Sequence, residues 1–155
     1  MYFSIHVTTG VMIGQAIANP IIAFVVGLFS HFALDLIPHR DGDIPTNGHS
    51  ITDLRQQHLK KMLQMLLIDA TVLTGLVVVL IVTKTAFSPI MLWAVVGAVL
   101  PDLLQLALLF KPTNQPLQKF NRLHNALHYS ANPVSIATGH LTQALAAGIM
   151  IYLIL

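Results

Sequence analysis

"GLFSHFALDLIPHRDGD", Gly27 to Asp43, decides how the rest of the chain is read. Just upstream, "IIAFVVGLF" is the interior of an apolar helix. His31, Asp35, His39, Asp41 and Asp43 then follow within thirteen residues. His31 and Asp35 are four apart, so they share one helix face. A carboxylate inside an apolar helix is costly and by default marks a functional site. Imidazole and carboxylate together suit zinc, manganese or iron. The plain alternative is a packing pair in which Asp35 accepts a bond from His31.

The composition extends this reading to the whole chain. Of 155 residues, 55% are hydrophobic and only 9% charged, with a mean hydropathy of +0.73. A soluble domain carries about 25% charged residues. The sequence therefore predicts one all-α, membrane-embedded domain, 1–155. The absence of cysteine excludes disulfides and thiolate zinc sites. A scattered net charge of +2 argues against a nucleic-acid partner. The N-terminal "MYFSIHVTTGVMIG" lacks the basic region of a signal peptide and reads as a retained first helix.

Five apolar segments are expected, near Phe3–Ala18, Pro20–Pro38, Met62–Thr83, Pro89–Phe110 and Pro133–Leu155. The first two are short against the roughly 20 residues of a spanning helix. Asn19 and Pro20 form a helix start between them. Ser50 and Asp53 resemble a capping box leading into the third segment. Leu117–Ser130 reads as an amphipathic helix on the membrane surface. The predicted fold is thus a bundle of about five apolar helices plus one surface helix.

Basic residues orient the bundle. Arg40, Arg55, Lys60 and Lys61 fall between segments two and three, and Lys111, Lys119 and Arg122 between four and five. Lys84 alone falls in a loop on the other side. That bias predicts a multi-pass protein of the cytoplasmic (inner) membrane, with its N-terminus in the cytoplasm. Every His and Asp then lies in the cytoplasmic half. Independent packing pairs have no reason to gather there, whereas a shared metal site requires it.

The other candidates follow from this topology. His6, Gly10, Gly14 and Ala18 repeat every four residues, a small-residue stripe ending in an imidazole. It is expected to face Gly27 and His31. "HNALH" places His124 and His128 four apart, as in zinc sites on one helix turn. It lacks the Glu of a metalloprotease helix. Asp69 and Asp102 are single acids within two further helices, and Asp102 follows the helix-breaking Pro101. Helix packing is the plain alternative for each. Asp41 and Asp43 read as a hydrophilic turn, and His49, His58 and His140 carry weaker signals.

Three segments, "GLFSHFALDLIPH", "GAVLPDLLQ" and "HNALHYS", resemble motifs of the membrane-bound metal-dependent hydrolases. Members carry a G-x-x-S-H-x-x-x-D helix, a Gly-x-x-x-Pro-Asp segment and a His-rich segment ending in His-Ser. The resemblance implies a multi-helix membrane hydrolase and points to His31, Asp35, Asp102, His124 and His128. Where the family reads HRxxTHS, this chain reads HNALHYS. Type 2 phosphatidic acid phosphatases also use H-x-x-x-D, but "TNGH" here follows that motif instead of preceding it.

The expectation is a hydrolase with one or two divalent transition-metal ions, zinc first and manganese or iron next. The expected ligands are His6, His31, Asp35, Asp102, His124 and His128, with Asp69 and His39 completing the site as catalytic acid–base groups, or His39 as a ligand or outer partner. Membrane lipids are the expected surroundings and a lipid ester or phosphoester the expected substrate. A metal- or proton-coupled transporter and a protein with a structural metal are the competing readings.

Overall fold

The computed structural model describes residues 1–39, 51–128 and 134–154. Its regular structure there is entirely helical: α1 (Phe3–Ala16), α2 (Pro20–Asp35), α3 (Ile51–Val82), α4 (Pro89–Phe110), α5 (Gln115–Leu127) and α6 (Ile136–Ile154). Arg40, Asp41, Asp43, His49 and the Ser50 half of the expected capping box lie outside the described residues.

Local chemistry sets the boundaries. Asn19 Oδ1 accepts from the N–H groups of Ile21 and Ile22 at 2.9 and 3.1 Å, with Pro20 as the first residue of α2. Ser88 caps α4 at Met91 N (3.1 Å), and Asn114 caps α5 at Leu117 N (3.0 Å). Each cap satisfies amide groups that the first helical turn leaves without partners. α3 ends in a Schellman arrangement: Thr85 N–H bonds to Leu80 O at 3.0 Å and Lys84 N–H to Ile81 O at 3.1 Å. Lys84 holds the left-handed position there, with φ 53°.

α1 has no side-chain cap of its own. Asp69 of α3 accepts from Ser4 N–H at 2.8 Å, and Gln143 of α6 accepts from Tyr2 N–H at 2.8 Å. Two distant helices thus satisfy the start of α1 and hold it in place.

α4 is the centre of the bundle and packs most extensively on α2 and α1. Close approach is possible because of small residues. A Cβ at Gly10 would come within 2.6 Å of Val95 Cα, and one at Gly27 would collide with the Ala94 carbonyl. A Cβ at Gly97 would meet the Phe24 carbonyl in the same way. The stripe of α1 therefore faces Val95 and Met91 of α4, and not Gly27 as expected. Ala94, Gly97 and Ala98 make α4 slim enough to lie against both helices at once.

Among the described residues, three helical stretches are long and apolar enough to cross a membrane: His58–Val82, Pro89–Leu108 and Ala137–Ile154. That is fewer than the five expected. α1 has 14 residues and α2 has 16, about 21 and 24 Å of helix against a hydrocarbon core of about 30 Å. Pro38 contributes to this, since a proline disfavours helical geometry at the residue before it.

Candidate metal centre

Four helical segments converge beside the C-terminal end of α2. His31 and Asp35 come from its last turns, and His39 lies just beyond. His124 lies in the last turn of α5, and His128 is its C-cap. His6 comes from α1 and Asp102 from α4. His6 and His31 have no exposed surface, and Asp35 and His124 are buried almost completely. Asp102 and His128 keep about a quarter of their side chains exposed.

His31 is fixed by its outer nitrogen. Its Nδ1–H donates to the carbonyl of Ala98 at 2.8 Å. Nε2 of His31 consequently points inward as the free nitrogen. It stands 2.9 Å from His124 Nε2, 3.2 Å from Asp35 Oδ2 and 3.8 Å from Asp102 Oδ1. His124 Nε2 is 3.5 Å from the same Asp35 oxygen. His39 repeats the pattern. Its Nδ1–H donates to the Ile37 carbonyl at 2.7 Å, and its Nε2 is 3.2 Å from His128 Nε2.

Asp35 sits between these groups. The Met1 amino group lies 2.7 Å from Oδ1, and His6 Nε2 lies 3.4 Å from it. Oδ2 is buried without a hydrogen-bond partner, as are both ring nitrogens of His6. Leaving a buried polar group unsatisfied costs about 1–3 kcal/mol, and more for a charge. A cation at the cluster would remove that cost.

Ligand geometry passes the same test. Zinc–nitrogen bonds of about 2.0–2.1 Å put neighbouring tetrahedral ligands about 3.3 Å apart. The His31–His124–Asp35 separations of 2.9, 3.2 and 3.5 Å bracket that value. Among the described residues, three triads have ligand atoms within 4.8 Å of one another: His6–His31–Asp102, His31–Asp35–His124 and Asp35–His39–His128.

Electrostatics keep His124 ready. Burial pushes its imidazole down to about 4, against the opposing pull of the Asp35 carboxylate. It is therefore neutral at pH 7, as a metal ligand must be. Its Nδ1 is 2.7 Å from the Gln105 amide, which also reaches Asn121 and Asn125 at 3.1 and 3.2 Å. In this arrangement Gln105 Nε2 is the donor to the side-chain oxygens of Asn121 and Asn125, and it holds the His124 ring from its outer side.

All six expected ligands thus fall within the three triads, and His39 joins them. Asp69 does not, because its Oδ1 is bonded to Ser4 N–H. His140 is hydrogen bonded to the Tyr2 hydroxyl at 2.8 Å, away from the triads. Sequence reasoning missed Gln105 as an outer partner. Its signal was its place three residues after Asp102, on the same face of α4.

No protein-family model matches the chain, and neither a curated protein nor a solved structure matches it. Among the described residues, then, the chain is an all-helical protein with buried His/Asp groups that could hold a metal ion.

Proposed function

We propose that the chain is a membrane-bound, metal-dependent hydrolase whose centre lies at the cytoplasmic face of the inner membrane. The observation that carries this is the convergence of His31, Asp35 and His124 around the unpartnered Asp35 Oδ2. Exposed leucines, isoleucines and valines along α3, α4 and α6 support the membrane setting. The excess of basic residues in two loops supports the orientation. Zinc is the proposed ion, since imidazole and carboxylate ligands at these separations suit it.

A divalent ion held by His31, Asp35 and His124 would supply Lewis acidity, of the kind that lowers the pKa of a bound water from 15.7 to about 7. The chain supplies the rest. Burial of His31, Asp35 and His124 excludes bulk water from the charged groups. Asp102 is partly exposed, with Oδ1 3.8 Å from His31 Nε2, and serves as the base that takes a proton from the attacking water. Asp69 acts in the fold, through its bond to Ser4.

A lipid ester or phosphoester is the proposed substrate. An apolar groove of about 510 Å³ runs between α1, α3 and α4. Its lining reaches from Val7, next to His6 in sequence, to Lys84 at the far end of α3. It offers room for an acyl chain.

The completeness of the burial favours a second reading, in which a closed structural ion ties α1, α2 and α5 together. One experiment separates the two. Purified protein is analysed for metal beside His31→Ala and Asp35→Ala variants, and all are assayed on phospholipid and acyl-ester substrates in detergent. Bound metal with hydrolysis supports the enzyme. Bound metal with no hydrolysis but a lower Tm after chelation supports the structural ion. A wild-type protein without transition metal sinks both.

A further inference from the structure

We propose that the centre holds two divalent ions, which share Asp35 Oδ2. This deepens the metal-centre reading and rests on it.

The cluster is built as two rungs. His31 and His124 form one, with nitrogens 2.9 Å apart, and His39 and His128 form the other at 3.2 Å. Each rung pairs one histidine from the α2 segment with one from α5. His124 and His128 are one helical turn apart, with ring centroids separated by 5.8 Å. Asp35 is midway between His31 and His39 in sequence and belongs to the triads of both rungs. Its Oδ2 lies 3.2 and 3.5 Å from the nitrogens of the first rung and 4.0 Å from His128 Nε2 of the second. The bridging atom is thus the buried oxygen that has no hydrogen-bond partner. A carboxylate oxygen has two lone pairs, one for each ion.

Each rung is a contact between imidazole nitrogens that either a proton or a metal ion can fill. His31 and His39 give their Nδ1–H groups to backbone carbonyls, so each has only Nε2 to offer. His31 can therefore serve one ion only. Its Nε2 is nearer Asp35 Oδ2 than Asp102 Oδ1, 3.2 against 3.8 Å. That assigns His31 to the Asp35 rung, so the His6–His31–Asp102 triad is not a separate full site. Bonds of about 2.1 Å to a shared oxygen keep two ions within about 4 Å, the spacing of two-metal hydrolytic sites. The sequence reading left His39 as a catalytic group or a ligand, and here it is a ligand of the second ion.

The test is zinc stoichiometry and zinc X-ray absorption on full-length protein reconstituted with Zn²⁺ in detergent. Two zinc ions per chain and a zinc–zinc distance of about 3.5–4 Å are expected in the wild type. His39→Ala and His128→Ala are each expected to halve the zinc content. Their helical circular dichroism and monodispersity show whether they fold, and the wild-type absorption spectrum decides the question if they do not. One zinc per chain with no zinc–zinc vector overturns the two-ion proposal and leaves the metal centre intact. Two ions retained in His128→Ala also overturn it. No zinc in the wild type overturns the metal-centre reading itself.

Discussion

His31 Nδ1 and the Ala98 carbonyl oxygen are 2.8 Å apart, and this bond sets which way the centre faces. A metal-binding histidine is oriented by the partner of its other nitrogen. Here that partner is the backbone of the proline-bearing helix α4. The ring cannot turn without giving up this bond.

The corresponding outer partner of His124 is a side chain and can be removed. Gln105→Ala deletes the amide 2.7 Å from His124 Nδ1. Loss of such a partner costs about 10–100-fold in metal affinity. Competition with a chelating dye should show a decrease of that size, with helical content unchanged. An unchanged affinity would remove Gln105 from the site.

The depressed pKa of His124 has a sign that can be checked. Unfolded, the imidazole titrates near 6.5, whereas in the fold it does so at about 4. Between those values the unfolded chain binds more protons, so stability falls as pH decreases through this window. Above about 6.5 the contribution is complete. Thermal unfolding of metal-free protein in detergent, followed from pH 8 to pH 4, should show Tm level at first and then falling. The His124→Phe variant should lose part of that fall.

Gly27 governs the approach of α2 to α4. A Cβ there would collide with the Ala94 carbonyl, and backbone cannot give way as a side chain can. Overpacking of this kind costs about 1–3 kcal/mol. Gly27→Val should lower Tm by a corresponding amount. It should also weaken metal binding, because His31 lies one turn further along the same helix face. Gly75 has open space around it, so Gly75→Ala should leave metal binding unchanged.

Asp69→Ala separates fold from chemistry. Removing the acceptor of Ser4 N–H should cost about 0.5–2 kcal/mol, as loss of a helix cap does. Circular dichroism melting would measure that cost. Metal content should match the wild type. A selective loss of hydrolysis with normal Tm would instead return Asp69 to the reaction.

Much of this protein was legible in one dimension. Helix starts at Asn19–Pro20 and the apolar runs are local properties, because caps and periodicity act within one or two turns. The pairs His31–Asp35 and His124–His128 were legible for the same reason, since i,i+4 spacing places two side chains together on any α-helix. Counting loops predicted His and Asp residues at one end, and among the described residues seven of them fall in the three triads.

The partners across helices were decided only in three dimensions. Helical periodicity says which residues share a face, but not which helix that face meets. Shape complementarity of small residues settled that: Ala94, Gly97 and Ala98 let α4 lie between the faces of α1 and α2. This placement gave His31 its Ala98 partner and turned its free nitrogen toward His124. It also took Asp69 to the first turn of α1, 65 residues away in sequence. The sequence by itself determined the pairs His31–Asp35 and His124–His128, because their i,i+4 spacing is local. Only the tertiary structure decided how they pair, because pairing depends on which helices can approach closely enough to pack.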